Sequence, residues 1–120
     1  MIFKKIKNSF KYAWTGFRFF TKERNIKIHL LVALLVVVLG LVFDISSLEW
    51  VSLTISIMIV ISLEIINTAI ENIFDLFHPG KDGRIMIIKD LAAAAVFVSA
   101  IGAIIVGLFI FLPLILQRLQ

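Results

Sequence analysis

The 120-residue chain contains no cysteine, which excludes disulfide frameworks, thiolate metal sites and cysteine nucleophiles together. Charge is scarce as well: 17% of residues are Asp, Glu, Lys or Arg, against a hydrophobic fraction of 61%. Soluble domains carry about 45–50% apolar residues. One domain of 13.5 kDa with a mean hydropathy of +1.07 has too little interior to hide the excess, so a soluble globular enzyme is not expected. Phosphate-binding glycine motifs of the Gly-x-x-x-x-Gly-Lys-Ser/Thr and Gly-x-Gly-x-x-Gly kinds are missing, as are protein-kinase loop signatures. The two histidines, His29 and His78, are too few for a zinc site, and neither stands in a His-Glu-x-x-His arrangement. His29 reads as a polar residue at a span boundary.

Acid is nearly absent from the N-terminal part. Lys4, Lys5, Lys7, Lys11, Arg18, Lys22, Arg24 and Lys27 are accompanied there by Glu23 alone. Such a patch suits nucleic acid or anionic headgroups. Beside long apolar runs it reads as a cytoplasmic membrane flank, with no nucleic-acid partner expected. Phe3, Ile6, Phe10, Trp14 and Phe17 recur at helical spacing, with lysines and Arg18 on the other side. This predicts an amphipathic helix over 1–24 lying in the interface, aromatics among acyl chains and lysines at headgroups. A secretory signal is not expected, because polar-rich sequence precedes the apolar run and no small-residue cleavage site follows it.

Three spans are predicted, over 26–43, 50–77 and 89–116. Ile28 to Phe43 carries no charge, and lysine snorkelling extends it towards the ~20 residues a span needs. The connection Asp44–Glu49 has no basic residue, whereas Lys81, Arg84 and Lys89 mark the second, where Pro79, Gly80 and Gly83 break the helix. Positive-inside counting puts the N-terminus and second loop in the cytoplasm, and the first loop and C-terminus outside. The expected fold class is an all-α membrane protein with a surface helix and three transmembrane helices.

Within the second span, Glu64, Asn67, Thr68, Glu71 and Asp75 fall on one helical face, backed by isoleucines. Polar stripes glue helices together, and Asn67 with Thr68 alone suits that role. Three carboxylates on one face repel each other unless a cation neutralises them, which points to chemistry. A hard divalent ion, Mg²⁺, is the neutraliser expected at an aqueous boundary. Glu64 is expected inside the membrane, Glu71 at its edge and Asp75 just beyond. Lys89 and Asp90 are expected to open the third span at that same boundary, where free backbone amides favour phosphate. Ala95, Ser99, Ala103 and Gly107 repeat every four residues and read as a packing seam and oligomer contact.

These motifs, Glu64-Ile-Ile-Asn67-Thr68-Ala69-Ile-Glu71-Asn-Ile-Phe-Asp75 followed by Lys89-Asp90-Leu-Ala-Ala-Ala-Ala-Val96, resemble those of the bacterial diacylglycerol kinase and undecaprenol kinase family. Its members are small integral-membrane lipid kinases. Tyr12-Ala-Trp14-Thr-Gly16-Phe-Arg18 and Glu23-Arg-Asn25-Ile-Lys-Ile-His29 look like its N-terminal motifs. The resemblance implies a homotrimer in the bacterial inner membrane, with active sites shared between subunits. It implies Glu64 as general base, Glu23 and Glu71 as Mg²⁺ ligands, and Trp14 and Arg18 with Glu64 at the lipid substrate. Lys5, Tyr12, Glu23, Asn67, Glu71, Asp75, Lys81, Asp82, Lys89 and Asp90 are the implied ATP contacts, although the loop from His78 to Gly83 departs from the better-known diacylglycerol-specific members.

The residues support this chemistry in their own right, since phosphoryl transfer needs cations on the phosphate oxygens, a positioned hydroxyl and a proton acceptor. The stretch from Glu23 to His29 looks like the Gram-positive branch, whose acceptor is undecaprenol. Diacylglycerol is the alternative acceptor. A small ion-coupled transporter also uses membrane carboxylates, and is separated from a kinase by flux without ATP.

Overall fold

The computed structural model describes all 120 residues apart from the side chain of Arg24. Four helices make up the chain: α1 (Ile2–Phe20), α2 (Arg24–Phe43), α3 (Ser47–Phe77) and α4 (Gly83–Leu119). There is no strand. The segments Asn25–Phe43, Ser47–Phe77 and Gly83–Leu119 are each long and apolar enough to cross a membrane. Both α3, with 31 residues, and α4, with 37, exceed the ~20 residues that a hydrocarbon layer accommodates. Neither helix can therefore lie wholly within it.

Each boundary has a local cause. Asp44 adopts the left-handed conformation (φ 51°) at the end of α2, a conformation that Asp tolerates better than most residues. Ser46 and Glu49 then form a reciprocal capping box, Ser46 Oγ accepting from the Glu49 N–H and Glu49 Oε1 from the Ser46 N–H. Helix α3 thus begins before Trp50. Asp82 caps α4 by accepting from the Arg84 N–H at 2.9 Å. The third long apolar helix, α4, starts at Gly83 instead of near Lys89, and Gly83 does not break it. As the first helical residue, Gly83 has an N–H that needs no intrahelical partner. The free amides expected beside Lys89 and Asp90 are accordingly absent there, because both residues lie inside the helix.

The main packing is α3 against α4, with α2 lying more lightly along α3. At the end away from Glu64, Ile45, Leu53, Ile110 and Phe111 form the buried core, joined by Val36, Phe43, Trp50, Val106 and Leu114. Arg118 closes that end: its Nη2 donates to the Val42 carbonyl at 3.2 Å, and its guanidinium lies 4.5 Å from the centre of the Phe43 ring. An apolar cavity of about 340 Å³ lies between the three long helices, lined in part by Val32, Ile57, Ala103 and Gly107. A Cβ added at Gly107 would meet nothing within 4 Å. Inside one chain, the row of small residues therefore borders open space at Gly107, with no close backbone contact there.

The accessible surface is 9478 Å², whereas a compact soluble monomer of this mass exposes only about 6,500 Å². Leu34, Leu35, Ile55, Met58, Phe97 and Phe109 are among the large apolar side chains left outside. Lipid, or other copies, must cover them.

Gly40 tests the packing of α2 on α3. A Cβ there would stand 2.6 Å from Cη2 and 2.9 Å from Cζ2 of Trp50, so the indole occupies the space where a side chain would begin. Gly40→Ala is expected to lower stability by about 1–3 kcal/mol through overpacking, read as a lower thermal midpoint in detergent. Adding Trp50→Phe, which removes the clashing ring, should recover much of that loss. An unchanged midpoint in the single variant would show that the indole does not pack on Gly40.

Candidate active site

The polar face of α3 is graded by depth. Glu64 is buried, with 9% of its side chain exposed. Asn67, Thr68 and Glu71 are half-buried, and Asp75 is exposed. Ile66 and Ile73, off this face, are 54% exposed, which puts the polar side inward and the apolar side outward. A span in lipid is expected to have that arrangement, because lipid-facing carboxylates are costly.

Three pairings organise the site. His29 of α2 brings its Nε2 within 2.8 Å of Glu64 Oε1. On α3 itself, Asn67 Nδ2 donates to Glu71 Oε1 at 3.2 Å, one helical turn away. Lys89 of α4 donates to Asp75 Oδ1 at 2.7 Å, joining the end of α3 to the first turns of α4. Asn67 Oδ1 is fully enclosed and has no partner, the one such side-chain atom among the described residues. Buried acceptors are nearly always satisfied, so this orphan marks a place prepared for a donor.

The remaining expected residues stand apart from these pairs. Lys5, Tyr12, Trp14 and Arg18 are exposed on α1, and Glu23 is exposed at the start of α2. No hydrogen bond or ion pair among the described residues links any of them to the α3 stripe. Lys81 and Asp90 are exposed without a side-chain partner among the described residues, whereas Asp82 is occupied by its cap. The Arg84 side chain, then its backbone N–H, hold the Asp82 carboxyl below its ordinary pKa. The cap's contribution is therefore present at neutral pH and is lost as pH falls through that lowered value. No group of three His, Asp or Glu residues among those described is arranged to hold a metal ion.

Sequence periodicity did not reveal the His29–Glu64 contact. Its partners come from different helices, and only the hairpin register connects them. The signal was a lone polar residue in an otherwise apolar span, nearly level with the first of the three carboxylates on the polar face of the next.

The family model described as prokaryotic diacylglycerol kinase matches residues 11–111. The chain belongs to that family. It is 40% identical over 91 residues to the undecaprenol kinase of Bacillus subtilis (strain 168), covering 76% of this chain and 74% of the relative. It is 34% identical over 111 residues to the diacylglycerol kinase of Synechocystis sp. (strain ATCC 27184 / PCC 6803 / Kazusa), covering 91% of this chain but 63% of that longer protein. Membership makes the protein a membrane-embedded lipid kinase, a phosphotransferase with ATP as co-substrate.

For such a kinase the Asp75–Lys89 pair has a testable purpose. With Asp75 66% exposed, the pair is mostly solvated and contributes about 0–1 kcal/mol to folding. Asp75→Asn and Lys89→Gln are expected to leave the thermal midpoint nearly unchanged while raising the KM for ATP. A large fall in the midpoint with KM unaltered would make the pair a helix clamp and nothing more.

Proposed function

We propose that the protein transfers the γ-phosphoryl group of ATP to the hydroxyl of undecaprenol at the cytoplasmic face of a bacterial inner membrane. The observation that carries the reading is the buried Glu64 on a carboxylate-bearing face of α3, in a chain 40% identical to an undecaprenol kinase. Diacylglycerol is the second reading, favoured by the 34% identity that extends over 91% of the chain.

Glu64 takes the proton of the acceptor hydroxyl as its oxygen bonds to the γ-phosphorus. The bond from that phosphorus to the β,γ-bridging oxygen breaks, and ADP leaves. Glu64 is suited to this role because it is sheltered from water at the depth where a membrane-dissolved alcohol presents its hydroxyl. Lys89 and Lys5 offset phosphate charge, and Asn67, Asp75 and Asp90, with Tyr12, Lys81 and Asp82, orient the nucleotide. Trp14 and Arg18 on α1 face the lipid.

The oxygen donors of Glu71 and Glu23 fit a Mg²⁺ ion. Glu71 has one carboxylate oxygen held by Asn67 and the other without a partner among the described residues. Mg²⁺ commonly binds one or two carboxylates together with substrate phosphates and needs no all-protein cage. The ion supplies charge neutralisation on the phosphate oxygens.

One chain leaves the α1 residues and Glu23 unjoined to the stripe, and its surface far exceeds that of a compact monomer. Both features support a homotrimer with sites completed between subunits. The basic α1 and the basic loop support a cytoplasmic N-terminus, with the C-terminus outside.

A product assay with purified protein, Mg²⁺ and labelled ATP, offering undecaprenol and diacylglycerol separately, tests the reading. Undecaprenyl phosphate is expected at the higher kcat/KM. Preference for diacylglycerol would reverse the order of the substrates, and labelling of neither lipid would end the proposal. Glu64→Gln is expected to lower kcat about 10²–10⁴-fold, with the KM for ATP little changed. Loss of ATP affinity in parallel would assign Glu64 to the nucleotide site instead.

A further inference from the structure

We propose that His29 is a positioning residue for Glu64, holding one carboxylate oxygen so that the other faces the acceptor hydroxyl. The inference rests on the reading of Glu64 as the proton acceptor and adds to it a second helix, α2, as the element that aims it.

His29 is the only polar residue between Ile28 and Phe43, a stretch in which polar groups are expensive to keep. It is spent on a single contact, Nε2 to Glu64 Oε1 at 2.8 Å, close enough for the imidazole to restrain that oxygen. Glu64 has no other side-chain partner among the described residues. Without His29 its carboxylate would rotate freely about its terminal torsion, which is broad and two-fold.

The surroundings make the contact count. Its carboxylate is mostly shielded, and the imidazole lines the apolar cavity between α2, α3 and α4. In so poorly solvated a place a hydrogen bond is stronger, and an unpaired carboxylate costs more, than at an aqueous surface. Helix α2 otherwise packs lightly on α3. It is fixed at the far end by Trp50 against Gly40 and at the near end by this pair. Glu64 Oε2 has no partner among the described residues, yet Asn67 Oδ1 is the sole enclosed orphan atom among them. Oε2 is therefore still reachable, and it is the oxygen left to take the proton.

Two substitutions separate positioning from filling space. His29→Gln keeps an N–H donor at similar reach, whereas His29→Leu keeps bulk and removes the donor. His29→Leu is expected to lower kcat about 10–100-fold, the scale of a misaimed reacting group, with the KM for ATP unchanged. His29→Gln should recover most of that rate. In a Glu64→Gln background, His29→Leu should have no further effect on kcat, since the residue acts through Glu64.

Equal impairment of the Gln and Leu variants, or full kcat per folded protein in His29→Leu, would overturn the inference. So would an additive loss in the double variant. Were Glu64→Gln itself fully active, the base assignment would fall with it. Loss in Glu64→Gln alone, with His29→Leu active, would remove only the role of His29.

Discussion

A carboxylate placed within a hydrocarbon layer must be neutralised, hydrogen-bonded or both, and Glu64 imposes that requirement on everything around it. Its helix has to turn this face inward, which sends the isoleucines on the other faces outward to lipid. A neighbouring helix has to bring a polar group to the same level, and α2 does so through His29, whose Nε2 lies 2.8 Å from Glu64 Oε1. The inversion of a soluble fold, apolar outside and polar stripe inside, follows from this one group more than from composition. Replacing Glu64 by an apolar residue would remove the need for His29 and for an inward face along that part of α3.

The apolar core and the proposed site occupy opposite ends of the bundle. At the far end, Ile45, Leu53, Ile110 and Phe111 interlock, and Arg118 ties α4 to the last turn of α2. That end holds the helices together without chemistry. At the other end α3 and α4 are held by the Asp75–Lys89 pair, which is too solvated to contribute much to folding. A weakly stabilised end can adapt to a nucleotide and a lipid, because ligand-binding regions are drawn from the low-stability part of a structure. The cavity between the two ends leaves packing energy unused near Gly107.

The spans, the surface helix and the inward carboxylate face were legible in the sequence because each is a local periodic pattern. Helix ends were less so. Ser46-Ser-Leu-Glu49 is a capping box in plain view, yet a span reckoned from bilayer thickness begins at Trp50. Thickness bounds contact with hydrocarbon; capping bounds the helix. The start of α4 was misplaced for a similar reason. Gly83 reads as a breaker when taken alone, but following the Asp82 cap it is simply the first helical residue. The pairs His29–Glu64 and Asp75–Lys89 required tertiary register, which no single-helix pattern contains. Even so, His29 and Glu64 stand 16 and 19 residues from Ile45 in the turn between their helices, nearly level in an antiparallel hairpin.

If the α3 face is the site, as proposed, its gradient of burial lets one site serve two substrates from different phases. Seven residues separate Glu64 from Glu71, a rise of about 10 Å, and one further turn reaches the exposed Asp75. Over that distance the environment changes from shielded to aqueous. A lipid alcohol arrives from the shielded end, where water would compete as an acceptor if it were admitted. A charged nucleotide arrives from the wet end, where its phosphates can be paired without crossing hydrocarbon. In the proposed reading the reaction would occur where those ranges overlap, between Glu64 and Glu71, and there Asn67 holds its unpartnered oxygen. The order of residues on one helical face thus sets the order in which acceptor, phosphoryl group and nucleotide can lie.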